Sequence, residues 1–267
     1  MRADTLFNGR LTLYQPSLGG YRTNHDAILL AAFAAAQRQA RIAFDLGAGV
    51  GAVGLSLLHL EIASQVTMIE INPRTAHLAA LNLKANGWEN RAVVFAQDVS
   101  QTARLFVGKA DLIVCNPPYI QPGSGHIPTD PSRAQARSGH LKVFISAARQ
   151  LAGRRARICI VYPAQALSFL LTTLQQAGLE PKRLRSVHTT ATTHARIVLI
   201  EATLGKKGGL MILPPLIERT HNGYSPELTS LLSSPPAREA QEDEIKLPSR
   251  SSINRSSTMA KADRTLR

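Results

Sequence analysis

The sequence is poor in cysteine, in aromatic residues and in long apolar runs. Only two cysteines occur among 267 residues, Cys115 and Cys159, and each lies in a short apolar stretch. We therefore predict two reduced core thiols rather than a disulfide-stabilised domain. No apolar run approaches the roughly 18 residues that suggest a membrane span. The first residues also lack the charged and apolar regions of a signal peptide, so we expect a cytoplasmic protein without a membrane partner.

The sequence is also poor in acidic side chains. Lysine and arginine total 31 against 18 acidic residues, which gives a formal charge of +13 and an isoelectric point near 10.4. Such a surface attracts polyanions, and phosphate contacts would supply affinity that is independent of base sequence. Charge alone leaves open a basic protein without a nucleic-acid partner. The 8 histidines are scattered, and no spacing with cysteine suggests a metal site, so no metal is predicted.

Short apolar runs alternate with segments of helical periodicity. The predicted strands span residues 40–44, 65–71, 92–96, 110–115, 156–162, 184–189 and 195–202. The predicted helices span residues 27–36, 53–60, 73–85, 141–152 and 164–177. This alternation predicts an α/β fold with a doubly wound, mostly parallel sheet of seven strands, whose last strand is antiparallel. Ligands of such sheets bind at the carboxyl ends of the strands.

A glycine-rich turn, DLGAGVGAVG at residues 45–54, follows the first of these strands. Glycines let the backbone approach a nucleotide-like ligand without steric hindrance from side chains. A dinucleotide would use Gly49, Gly51 and Gly54. S-adenosylmethionine would use Gly47, Gly49 and Gly51, with Asp45 opening the turn. A structural turn without a ligand remains a third interpretation.

Acidic residues at or just after the ends of the first three strands are candidates for cofactor contacts. Glu70 can accept hydrogen bonds from both ribose hydroxyls, although strand ends often carry a solvated glutamate. Asp98 can reach an adenine amino group, or it can cap the next helix. Asp45 would be unfavourable beside a pyrophosphate, whereas it suits the sulfonium and ammonium groups of S-adenosylmethionine. The acidic pattern therefore favours S-adenosylmethionine.

The fourth strand ends in CNPPYI, residues 115–120. An exocyclic amine is a poor nucleophile because its lone pair is delocalised into the ring. The Asn116 side-chain oxygen and the Pro117 carbonyl can each accept a hydrogen bond from the NH₂ group, which favours a pyramidal nitrogen. The prolines stiffen the loop, and Tyr119 offers a face on which a base can stack. A proline-rich turn without chemistry is the other interpretation.

These ordered motifs resemble those of the Rossmann-like, S-adenosylmethionine-dependent amino-methyltransferases. The resemblance covers about residues 40–204 and implies Glu70 on the ribose, Asp98 on the adenine and Asn116 at both methyl donor and target nitrogen. That family uses NPPY, or the related DPPY, for adenine N6, and NPPY also for the glutamine amide of peptide release factors. The motifs therefore identify the class of enzyme, whereas they do not identify its substrate.

The flanks resemble one branch, the bacterial tRNA(Val) adenine-N6 methyltransferases, which modify the adenine beside the anticodon. Residues 8–16 and 20–33 match its "QP…GYR…D-LLAA" stretch, and residues 223–228 match its "G-Y-T-x-E" helix start. The resemblance implies tRNA as partner. Release-factor methyltransferases have a larger N-terminal helical domain than the roughly 40 residues before the glycine turn here. Tyr21, Arg22 and Asp26 are candidates for contacts with cofactor or target base. Equally, Asp26 could cap the following helix and Arg22 could be a solvated charge.

The expected organisation has three parts. Residues 1–39 form an N-terminal strand and helix segment that covers the cofactor site. Residues 40–232 form the methyltransferase domain, and residues 233–267 form a polar tail predicted to be disordered. The expected activity is methyl transfer to N6 of an adenine in a tRNA anticodon loop. Other targets, namely a protein glutamine amide, ribosomal RNA or DNA, remain open, as do an RNA-binding protein without activity and an NAD-dependent oxidoreductase.

Overall fold

A computed structural model of the chain describes residues 2–16, 25–35, 39–117, 131–205 and 208–233, with the side chains of residue 2 and residues 131–140 excepted. Some sequence predictions lie outside these residues: those for Tyr21, Arg22, Pro118, Tyr119 and nearly all of the polar tail. None of the described helices is long and apolar enough to cross a membrane. Both cysteines are buried free thiols, as predicted.

Strands and helices alternate through the central part of the described chain. The strands are β1 (Arg2–Leu6), β2 (Leu11–Gln15), β3 (Ala40–Leu46), β4 (Ala63–Ile69), β5 (Ala92–Phe95), β6 (Ala110–Cys115), β7 (Ala152–Pro163), β8 (Leu179–His188), β9 (Ala195–Leu204), β10 (Met211–Ile212), β11 (Leu216–Ile217), β12 (Arg219–Thr220) and β13 (Gly223–Tyr224). The helices are α1 (Asp26–Phe33), α2 (Ala52–His59), α3 (Pro73–Ala85), α4 (Val99–Leu105), α5 (Pro131–Leu151), α6 (Leu167–Gln176) and α7 (Pro226–Ser233), with a 3₁₀ turn at Ala164–Ala166.

The main sheet has the order β5-β4-β3-β6-β7-β9-β8. All neighbours within it are parallel except β9, which runs antiparallel to both β7 and β8. This confirms the predicted doubly wound sheet with an antiparallel last strand. The short strands β10 and β11 extend the edge beside β8, so the sheet has nine strands rather than seven. Two-residue segments are too short to carry a strand pattern in the sequence.

Several element boundaries differ from the prediction, and two of the differences have a clear physical reason. Strand β8 begins at Leu179 rather than at residue 184, because polar residues alternate with apolar ones along its half-exposed face. Helix α5 begins at Pro131 rather than at residue 141, because its first ten residues are polar and show no apolar periodicity.

The sheet is covered on both faces. One face packs against α1, α2, α3 and α7 in a buried cluster that includes Ile28, Leu55 and Leu83. The other face packs against α4, α5 and α6 in a second cluster that includes Leu141 and Leu170. A parallel strand with both faces covered is mostly apolar, which is why residues 112–115 of β6 form a continuous apolar run in the sequence.

Two asparagines one helical turn apart fasten the β1–β2 hairpin to α3. The Asn82 side chain accepts a hydrogen bond from Tyr14 N (2.6 Å) and donates to Tyr14 O (3.1 Å) and Val50 O (2.9 Å). Asn86 makes the equivalent pair with the backbone of Thr12, at 3.0 and 2.8 Å. The amides thus satisfy the free edge of β2 and, through Val50, reach the glycine turn.

Replacing Asn82 with alanine should lower the free energy of unfolding by about 2 to 3 kcal/mol, because buried backbone groups lose their partner. Urea denaturation measures the change. The exposed Asn90→Ala is the matched control and should stay close to the unmodified protein. A loss for Asn82→Ala as small as that of the control would mean that water replaces the amide.

Candidate cofactor and catalytic site

The carboxyl ends of the central strands bring the predicted site residues to one edge of the sheet. Leu46 at the end of β3 is paired with Ile69 of β4 on one side and with Cys115 of β6 on the other. The glycine turn, Glu70 and Asn116 directly follow these three strand ends. Residues predicted from separate parts of the sequence are therefore neighbours at this edge.

The glycine turn needs glycine for conformation and for space. Gly47, Gly49 and Gly51 have φ angles of 69°, 58° and 88°, which side chains disfavour. A Cβ on Gly47 would lie 3.0 Å from the ring of Phe144, and one on Gly51 would lie 3.1 Å from the Met68 sulfur. A Cβ on Gly49 would meet nothing within 4 Å. The backbone at Gly49 therefore borders open space that a ligand can occupy.

Glu70 braces this turn. One of its carboxylate oxygens accepts a hydrogen bond from Gly49 N at 2.9 Å, and the other accepts from Asn72 N at 2.8 Å. Each carboxylate oxygen has a second lone pair, so the bonds leave capacity for the predicted ribose hydroxyls. Bracing of the turn is a role that the sequence reading did not anticipate.

Asp45 lies beneath the turn and is buried. Its carboxylate accepts a hydrogen bond from Gly54 N at 2.9 Å. Burial raises the pKa of Asp45 from 3.8 to about 7; the bond from Gly54 lowers it and the charge of Glu70 raises it. A cationic ligand nearby would favour the ionised form, which agrees with the sulfonium and ammonium groups considered above.

Asp98 caps α4. Its side chain accepts a hydrogen bond from Ser100 N at 2.8 Å, which matches the capping alternative. Because one oxygen makes this bond, the carboxylate keeps acceptor capacity for an adenine amino group. The cofactor role of Asp98 stays a prediction.

Asn116 and Pro117 lie directly after β6, the former half-buried and the latter buried. The predicted stiffness of this corner stays a prediction. Two acceptors from adjacent residues therefore lie at the edge of the sheet where Glu70 and the glycine turn lie. Their catalytic role stays a prediction, as does that of Tyr119.

The geometry weighs against a dinucleotide. Two backbone N–H groups of the turn and helix, at Gly49 and Gly54, already donate to the carboxylates of Glu70 and Asp45. A pyrophosphate would have to displace these bonds and approach two acidic side chains. The presence of glycine at position 54 does not require a dinucleotide, because a Cβ there would lie 2.5 Å from Met68 Cε. Its glycine serves the packing of α2 on the sheet.

Ile71 lies outside the strand in which the sequence prediction placed it. The predicted strand extended through residue 71, but β4 ends at Ile69 and the side chain of Ile71 is 66% exposed. The side chain of Ile71 is therefore an exposed apolar surface directly after Glu70.

Asp26 has neither of its expected roles. It is fully buried and forms a bidentate ion pair with Arg196, at 2.7 and 3.2 Å. The N-cap residue of α1 is His25 instead. Arg196 also binds Glu218 at 2.7 Å. Burial lowers the pKa of Arg196, but its bonds to Asp26 and Glu218 raise it more, so the guanidinium stays charged. No local pattern reveals this contact, because residues 26 and 196 are far apart in sequence.

Comparisons with known proteins agree with this fold. Residues 24–129 match the family described as "Methyltransferase small domain". The structure is similar to that of a predicted O-methyltransferase from Agrobacterium tumefaciens, with a TM-score of 0.64 and 24% identity, over 79% of this chain and 97% of that one. This likeness shows the fold. The fold is thus that of Rossmann-like methyltransferases, and residues 24–129 are similar to a methyltransferase domain.

The predicted resemblance to the bacterial tRNA adenine-N6 methyltransferases is confirmed as a similarity. The chain is 32% identical over 148 residues to the tRNA1(Val) (adenine(37)-N6)-methyltransferase of Pasteurella multocida (strain Pm70), covering 55% of this chain and 62% of that relative. It is 28% identical over 214 residues to the protein of the same name from Yersinia pestis (strain Pestoides F), covering 78% and 84%. The chain thus spans less than two thirds of the Pasteurella relative's length.

The residues of the edge fit the predicted cofactor. Acidic side chains at Asp45 and Glu70 suit a cation, and the backbone at Gly49 borders open space. The match to a methyltransferase domain agrees with S-adenosylmethionine as the cofactor. Glu70, Asp98 and the glycine turn would hold it. Among the described residues, no group of histidine, cysteine and acidic side chains could hold a metal ion.

Replacing Asp45 with asparagine should flatten the pH dependence of stability. Because the pKa of Asp45 is raised to about 7 in the folded protein, the folded state binds one more proton than the unfolded state from about pH 4 to pH 7. The free energy of unfolding should therefore fall in this window as pH rises, by roughly 1 kcal/mol per pH unit from this group. Urea denaturation of both proteins between pH 4.5 and 8 measures the difference. Parallel pH profiles would contradict the buried titration of Asp45.

Proposed function

We propose that the chain transfers a methyl group from S-adenosylmethionine to N6 of an adenine in a tRNA anticodon loop. The observation that carries the proposal is the position of Asn116 and Pro117. They lie at the carboxyl end of β6, beside the turn and the carboxylates expected to hold the cofactor.

The proposed chemistry requires acceptors for an amino group. S-adenosylmethionine, when bound, supplies a methyl group made electrophilic by its sulfonium. The Asn116 side-chain oxygen and the Pro117 carbonyl accept hydrogen bonds from the two N–H groups of the amine, which orients its lone pair away from the ring plane. They also stabilise the positive charge that develops on the nitrogen, so a separate strong base is not required.

The choice of tRNA rests on similarity and on charge. The relatives that match the chain over most of its length are named for N6 methylation of adenine 37 in tRNA1(Val). The formal charge of +13 favours a polyanionic substrate over a neutral glutamine amide. A loop base is partly unstacked before binding, so its extrusion costs on the order of a few kcal/mol at most.

Nucleoside mass spectrometry tests the substrate. Total tRNA incubated with the protein and S-adenosylmethionine should gain N6-methyladenosine. Transfer of label to a release factor, to ribosomal RNA or to DNA, with none to tRNA, would replace the proposed substrate with one of the alternatives. Cofactor binding without transfer to any of them would favour a binding protein that retains the fold.

Asn116→Ala should keep most of the affinity for S-adenosylmethionine and lose turnover by roughly 100-fold or more, because one acceptor for the amine is removed. Calorimetry measures cofactor affinity, and tritium transfer measures turnover. Asn116→Asp is the matched variant, since it keeps an acceptor oxygen and should retain more turnover than the alanine variant. Loss of cofactor affinity with turnover retained at saturation would contradict the proposed role.

A further inference from the structure

The segment after β10 leads a small hairpin to the edge of the sheet that carries the site. Strand β11 pairs in parallel with Val187 and His188 at the end of β8. The chain continues along this edge, where Arg219 N donates to Thr189 O at 2.8 Å. Because β7 and β8 are both antiparallel to β9, their ends lie at the same edge. The hairpin formed by β12 and β13 therefore begins on the side of the sheet where Asn116 and Glu70 lie.

This hairpin exposes an aromatic ring between two nitrogen-rich side chains. Tyr224 is 42% exposed, although it is a large amphipathic residue that could contribute to the core. The guanidinium carbon of Arg219 lies 4.9 Å from the centre of its ring, and the ring of His25 meets it edge-on at 5.3 Å. Arg219 is exposed as well, and His25 is half-buried.

The position of Tyr224 is held by its neighbours on both sides. Arg219 pairs with Tyr224 across the hairpin, and Ser225 N donates to Glu218 O at 2.9 Å. The Ser225 hydroxyl accepts from Leu228 N at 3.1 Å and so caps α7. Glu218 is in turn bound to Arg196. A ring that is fixed before binding loses little conformational entropy when it contacts a ligand.

We propose that Tyr224 and Arg219 form an RNA contact that helps to hold the substrate loop beside the methylation site, with His25 supporting the ring. Aromatic rings and guanidinium planes both stack unpaired bases, and Arg219 can also contact a phosphate. The net charge of +13 makes an anionic polymer the best-matched partner. The inference rests on the proposed function, because it names how the same RNA substrate is held.

Binding of a fluorescent tRNA anticodon stem–loop, followed by anisotropy in the absence of cofactor, tests the proposal. Tyr224→Ala should weaken the affinity by roughly tenfold, since a base loses its stacking surface. Tyr224→Phe keeps the ring and should bind like the unmodified protein. Arg219→Ala should weaken the affinity and reduce its dependence on salt.

Arg154→Ala is the matched control. Arg154 is exposed near the amino end of β7, at the opposite edge of the sheet, so its loss removes the same charge away from the hairpin. It should leave the affinity for the short stem–loop nearly unchanged. Calorimetry with S-adenosylmethionine verifies that each variant is folded.

If the unmodified protein methylates tRNA, two results would overturn the contact alone. One is an RNA affinity of Tyr224→Ala equal to that of the unmodified protein. The other is a loss of RNA affinity in Arg154→Ala as large as that in Arg219→Ala. If the unmodified protein neither binds the stem–loop nor methylates any tRNA, the proposed function and the contact are both wrong. A methylation assay with increasing tRNA adds a further criterion. Tyr224→Ala should raise KM more than it lowers kcat, and a change confined to kcat would also contradict an RNA-holding role.

Discussion

The parallel register of β3 with β4 and β6 is the constraint on which the site depends. It sets Leu46 level with Ile69 and Cys115, so the residues that follow these strand ends share one edge. Each segment contributes what its local sequence permits: glycines with positive φ, a carboxylate, or a proline corner. A shift of one residue in any of the three strands would turn its side chains to the other face and separate these groups.

Negative charge at the glycine turn gives the edge its chemical character. Asp45 and Glu70 accept hydrogen bonds from Gly54 and Gly49, backbone donors that would otherwise be available to an anionic ligand. The same backbone geometry that elsewhere binds a pyrophosphate is thus adapted to a cation. In a protein of net charge +13, this acidic edge lies within a surface that attracts phosphate. The cationic cofactor and the anionic substrate that we propose would therefore bind near each other without competing for the same groups.

The two ends of the described chain meet on this framework. Asn82 and Asn86 of α3 bind the backbone of β2, and Arg196 joins Asp26 of α1 to Glu218 before the terminal hairpin. The N-terminal segment is thus packed against the central domain rather than separate from it. The proposed boundary near residue 40 divides the chain by sequence pattern, whereas these hydrogen bonds and ion pairs cross it.

The sequence by itself determined the order of the seven main strands, the glycine turn and the acidic and amide residues at the strand ends. These are local patterns, since apolar runs and glycine spacing reflect forces that act within a few residues. Tertiary structure alone decided the bracing of the turn by Glu70, the burial of Asp26 against Arg196, and the exposure of Ile71 and Tyr224. Contacts between residues far apart in the chain leave no periodic signal, because they depend on which faces pack together and where each strand ends.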